Sequence, residues 1–160
     1  MAARLKLSAD VSSMQIEGFS FRFREEVQQA LIEASDEIFV PAIRDQLEKN
    51  KSIFTRALYE SIDTVEGQST FSQLSIRVGS ELSYAMGVEK GLLPHTPEFE
   101  RLREWVKVKL GLSGPDAHLV AIRISKSIRE KGTQPHPYLK DTIDANEKIF
   151  AQRVFSKLRR

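Results

Sequence analysis

Three histidines, His95, His118 and His136, are the residues best suited to hold a metal or shuttle a proton. None has a second histidine four residues away, the spacing that puts two imidazoles on one helix face. His95 and His136 stand beside prolines in loop-like sequence, and His118 falls in a first helical turn, so solvated or loop-bracing roles are expected. Cysteine is absent, which excludes disulfides and thiolate metal sites. Gly79-Ser80-Glu81 lacks the flanking Gly-x-Ser-x-Gly pattern of a nucleophile elbow. Gly87 and Gly91 stand four apart and follow no βαβ unit, so they do not form a dinucleotide fingerprint. The neighbouring carboxylates Glu25 and Glu26, and Asp36 and Glu37, fit solvated helix faces better than acid–base work. Trp105, on a stripe with Leu102 and Val106, reads as a core anchor rather than a binding platform. The expectation is therefore no catalytic residue, no cofactor and no metal: a protein that is not an enzyme.

Composition sets further bounds. The 160 residues fit one domain, 1–160, large enough to bury a core without staples. With 41% hydrophobic and 29% charged residues the profile is globular rather than disordered. The 24 basic and 22 acidic residues leave a net charge of only +2, too balanced to imply nucleic-acid binding. No apolar run reaches the roughly 20 residues of a membrane span. Residues 1–10 carry no apolar stretch of the kind a secretory signal has.

The elements that must position these residues follow from periodicity. Leu5, Leu7, Ala9 and Val11 alternate with polar residues, the pattern of a strand or of an extended arm, and residues 1–18 are the candidate N-terminal arm. Over residues 20–39 the spacing of Val27, Leu31, Ala34 and Ile38 predicts a helix. Pro41 predicts a kink or break, after which Ile43 and Leu47 continue helical. Residues 62–65, 70–79 and 84–88 read as three antiparallel strands, since their connections are too short for helical crossovers. Thr96 and Pro97 predict a helix start, and Gly111 its end. Pro115 and Asp116 open another helix that stops at Lys131 and Gly132. A last helix is expected from Pro137, carrying Leu139, Ile143, Phe150 and Val154 on one face, with residues 157–160 as a frayed basic tail. The fold class is α+β: long N-terminal helices, a small antiparallel sheet and C-terminal helices.

Three stretches, in order, resemble the small tail-component family of long-tailed bacteriophages, whose members complete the tail or join it to the head. Phe54-Thr55-Arg56-Ala57-Leu58-Tyr59-Glu60-Ser61-Ile62 is similar to the family's Thr-Gly-x-Leu-x-x-Ser-Ile element, with Arg56-Ala57 where the glycine is expected. Tyr84-Ala85-Met86-Gly87-Val88-Glu89-Lys90-Gly91 is similar to its Tyr-Ala-x-x-Val-Glu-x-Gly strand and turn. Gly132-Thr133-Gln134-Pro135-His136-Pro137-Tyr138-Leu139 resembles the loop opening its final helix. Ile16-Glu17-Gly18-Phe19 also resembles the Val-x-Gly that precedes the first helix in such proteins.

The resemblance implies a structural virion protein. It would be a neck or tail-completion ring, sixfold, between the head-side connector or portal complex and the tail tube or tail terminator. DNA would pass through the lumen without specific binding. The protein would be made in the host bacterial cytoplasm and end in the virion, with no membrane partner. A minor tail or morphogenesis factor is the neighbouring alternative, and a nucleic-acid-binding regulator a more distant one. A ring requires two different complementary faces on each subunit. The expected interface residues are Leu5, Leu7 and Val11 of the arm, with Glu89, Lys90, Gly91 and His95. The near-neutral charge predicts that the isolated protein, titrated into a labelled duplex at physiological salt, shows no submicromolar, sequence-dependent affinity.

Overall fold

The computed structural model of the chain describes residues 3–10, 21–50, 56–68 and 73–159. In chain order the elements are β1 (Ala3–Asp10), α1 (Phe21–Lys49), α2 (Ala57–Glu60), β2 (Asp63–Glu66), β3 (Gln73–Ser80), α3 (Ala85–Lys90), α4 (Phe99–Leu110), α5 (Gly114–Lys131) and α6 (Lys140–Leu158). The α+β class stands: helices dominate, with one small antiparallel sheet.

α1 is the spine of the molecule. Its buried residues, among them Val27, Leu31, Ala34, Phe39, Ile43 and Leu47, do not keep to one narrow stripe, because the helix packs on the sheet and on α6. Of the kink or break expected at Pro41, the break does not occur: the helix runs on through it to Lys49. One proline removes one intrahelical hydrogen bond. The buried Phe39, Val40 and Ile43 on either side hold the two halves in a single core. Phe39 meets Phe150 of α6 with ring centroids 4.7 Å apart. Farther along this antiparallel pair, Lys157 Nζ donates to Glu33 at 2.9 Å and to Glu37 at 2.8 Å, and Arg153 Nε lies 3.1 Å from Glu37. These hydrogen bonds with Lys157 hold both carboxyls below their usual range and raise the lysine above its own. Lys157 is thus tied down rather than frayed, and α6 stays helical to Leu158.

The sheet order is β1-β3-β2, so the central strand is β3. Leu74, Ile76 and Val78 of β3 are buried, as their alternation predicts. Two of the expected strands form; the third, 84–88, is helical instead. The third strand is instead residues 3–10, where the alternation allows a strand or an arm and the strand is what forms. Leu5 pairs across from Val78 and Leu7 from Ile76, the β3 positions sunk in the core. An alternating segment has the same pattern whether it is an arm or a strand. Only the vacant second edge of β3 decides between them.

Side chains satisfy the polar groups near the core. Arg44 of α1 donates from Nε to the Tyr59 carbonyl at 3.1 Å and from Nη2 to the Ile62 carbonyl at 3.0 Å. That fork fixes the turn carrying α2 into the sheet. Ser61 and Ser80 share a hydroxyl hydrogen bond of 2.7 Å, and Ser35 and Thr64 one of 2.8 Å.

α4 and α5 form a hairpin with its own small core of Val106, Ala117 and Ala121. Two alanines at the crossing let the helices approach closely. Trp105 is only half-buried; Val106, its neighbour, takes the fully buried position. The face expected from sequence is the one that packs, since Phe99, Leu102 and Trp105 lie partly buried against this core, but Val106 rather than Trp105 is its fully buried centre; α4 starts at Phe99 rather than Pro97. Leu110, counted on the apolar face from sequence, is 49% exposed at the helix end. No helix among the described residues is long and apolar enough to cross a membrane. Phe39→Ala should cost about 3–5 kcal/mol in urea unfolding, whereas Val108→Ala, at an exposed site, should stay within about 0.5 kcal/mol.

Candidate functional site

The stretches 84–91 and 132–139, far apart in sequence, meet in space. α3 ends at Gly91, whose φ of +72° suits a residue without a side chain. A Cβ there would stand 2.4 Å from the Thr133 carbonyl oxygen. At Gly132, φ is +77° and a Cβ would lie 2.0 Å from the Leu92 carbonyl oxygen. These two glycines let the loops touch backbone to backbone. Leu92 N donates to Thr133 Oγ1 at 2.9 Å, and Thr133 N returns a bond to the Leu92 carbonyl at 2.9 Å. His136 N donates to the Val88 carbonyl at 2.9 Å.

Glu89 completes the junction. Its carboxylate is buried and accepts three backbone hydrogens: Tyr138 N at 2.8 Å and Leu139 N at 2.9 Å on Oε2, and Lys140 N at 3.1 Å on Oε1. These amides open α6, whose own N-cap, Leu139, offers no capping side chain. The first amides of a helix lack intrahelical partners and carry partial positive charge. A carboxylate from another helix thus holds the amides leading into the first turn, where a local Ser, Thr, Asp or Asn cap would hold those of the second or third helical residue. This is also why α6 begins at Lys140 rather than at Pro137. Tyr138 is fully buried beside Glu89 and donates its hydroxyl to the Ala85 carbonyl at 3.3 Å. Burial, then the negative Glu89 and then Tyr84, push that phenol well above its ordinary value.

An open cleft of about 450 Å³ lies beside this junction, lined by Tyr84, Val88, Leu92, Trp105, Lys109 and His136 among others. Its walls come from α3, the hairpin and the 132–139 loop. Asn50 reaches its edge from the end of α1 and donates through Nδ2 to the Pro137 carbonyl at 2.8 Å. An aromatic-walled surface of this kind suits contact with another apolar surface. Among the described residues no three His, Asp or Glu side chains converge as metal ligands would.

The expected interface residues divide. Leu5 and Leu7 belong to a strand of the chain's own sheet, and Val11 lies outside the described residues, as do residues 16–19 and 54–55 of the quoted motifs. Glu89 faces inward as a cap, so its carboxylate is not presented to a neighbour. Lys90 is exposed, and Gly91 is committed to its contact with Thr133. His95 is half-buried, with Nδ1 2.9 Å from the Leu93 carbonyl and its amide 3.4 Å from the Ile128 carbonyl. It braces the loop onto α5. Sequence reasoning missed Asn50, Tyr84 and Lys109 as neighbours, since no local pattern joins α1, α3 and α4. Trp105 was the one signal available, because a tryptophan can serve as core or as platform.

No protein-family model, curated protein or solved structure matches the chain in the three comparisons made.

Glu89→Ala would leave three amides without their acceptor, a loss of about 3 kcal/mol or more. Glu89→Gln, which keeps one carbonyl oxygen, should fall between parent and Ala. Urea unfolding measures both, and amide exchange at residues 138–140 should speed up first.

Proposed function

We propose that this chain is a structural protein of a tailed bacteriophage, a ring subunit of the neck or tail-completion assembly. The observation that carries the reading is the junction around Glu89. The stretches 84–91 and 132–139 each resemble the tail-component pattern on their own residues. They are also each other's hydrogen-bonding partners, through Glu89 to the amides of 138–140 and through Leu92 to Thr133. Short motifs matched by chance have no reason to be partners in space. The residues that define the resemblance here, Glu89, Gly91, Gly132 and Thr133, are those the junction requires.

In this role the subunit works by shape. A rigid α1–α6 body with a hairpin on one end offers separate surfaces for neighbours on either side. Copies would close around the DNA path, held by the connector above and the tail below. DNA then meets an assembled lumen rather than a gripping subunit. Electron microscopy of purified virions, or of a reconstituted neck, tests this directly. The expected result is density for the chain as a ring coaxial with the DNA channel. Normal production in infected cells with absence from purified virions would overturn the structural role.

A further inference from the structure

The hairpin α4–α5 carries an outer face that nothing in the described chain covers. Leu119 is 56% exposed and Ile122 44% exposed. With Lys126 and Arg129 they follow a spacing of three, four and three residues, so all four share one side of α5. The side opposite, through Ala117 and Ala121, is the one buried against α4. The face is thus apolar in its first half and cationic in its second. Two carboxylates border it: Asp116, one turn before Leu119, and Glu130, 3.9 Å from Lys126. A helix presented this way, with anchors on successive turns, has the form of an element that lies in another protein's groove.

The same chain holds a groove of the opposite sign. It measures about 930 Å³ and runs between the first half of α1, β2 and the end of α6. Glu25, Glu26, Glu33 and Glu66 line it, and Ala30 and Leu158 supply apolar wall. The charges divide accordingly: residues 99–131 hold twice as many basic as acidic side chains, and the remainder of the chain has an acidic excess. One ammonium already sits among these carboxylates, since Lys157 donates to Glu33.

The root of the hairpin and the groove lie toward opposite ends of α1. The hairpin joins near Asn50 and the start of α6, through the Leu92–Thr133 bridge, while the groove lies near residues 25–33 of α1. At a rise of about 1.5 Å per residue, roughly 25 Å of α1 separates the hairpin's root from the groove. No α5 residue lines the groove in the folded chain, which leaves it open to a second copy.

We infer that the outer face of α5, through Leu119, Ile122, Lys126 and Arg129, docks into the Glu25, Glu26, Glu33 and Glu66 groove of another copy of this chain. The contact is head-to-tail, with two different patches per subunit, the type that closes into a ring when its rotation permits. It gives an interface to the ring proposed above and rests on that reading. Leu119 and Ile122 meet Ala30 and Leu158, while Lys126 and Arg129 face the carboxylates. Because these charges are solvent-exposed, the contact weakens as salt rises.

The test uses the full chain, half of it isotopically heavy, at high concentration and low salt, with a carbodiimide that joins lysine amines to carboxylates in direct contact. Mass spectrometry is expected to find heavy–light links from Lys126 to groove glutamates, reduced several-fold in 0.5 M salt. K126E/R129E and, separately, E25K/E26K are expected to sediment as monomers where the parent associates, with circular dichroism unchanged. Mixing the two reversed chains is expected to restore association, since each then offers the other a complementary pair. Heavy–light links at other sites, no heavy–light links, or a K126E/R129E chain that associates like the parent would overturn the inference. A ring seen in virions with links elsewhere would remove only this interface. The expected links without any ring in virions would leave self-association standing and remove the neck role.

Discussion

A buried carboxylate holding three backbone amides sets the geometry of everything C-terminal to the sheet. Glu89 sits on a helix of six residues, too short to be stable alone. It cannot be buried as an anion without strong partners. The entry to α6 supplies them: the amides of Tyr138, of the cap Leu139 and of the first helical residue Lys140, at the positive end of the helix. Each element therefore answers the other's electrostatic deficit. α3 gains an anchor for its charge, and α6 gains the cap its own sequence lacks.

The rest follows from that fixed point. Once α6 starts at Lys140, its direction along α1 places Phe150 on Phe39 and Lys157 between Glu33 and Glu37. The loop before α6 must then run beside the chain leaving α3. Gly91 and Gly132 admit that approach at distances no side chain would allow. The hairpin hangs between the same two glycines, so its orientation on the body is inherited from the junction. Its own core of Val106 and two alanines is small, which suits an element that reaches outward. The half-buried Trp105 packs on that core and also lines one wall of the cleft. A chain organised in this way separates a dense α1–α6–sheet body from a projecting two-helix arm. That division is what lets one subunit present two unlike surfaces.

Much of this was legible in the residues alone. The periodicity of α1, the alternation in β3, the glycine stop at Gly111 and the proline entry to α5 each report a local energetic preference, and each element formed where its pattern lies. The α+β class follows from their order. Spacing also showed that the histidines lack the i, i+4 pairing of a helical metal site.

Tertiary structure decided what local patterns leave open. Alternation at residues 5–9 describes an arm or an edge strand equally, and the free edge of β3 made it a strand. Residues 84–88 alternate too, yet they are helical, because Glu89 reaches the α6 amides from a helix ending at Gly91. Pro41 costs one hydrogen bond, and a core continuous across it outweighs that loss. The role of Glu89 itself was beyond any window of sequence. A glutamate next to a lysine and a glycine reads as surface, and only the arrival of residues 138–140, some fifty positions later, supplies the donors that hold its charge inside.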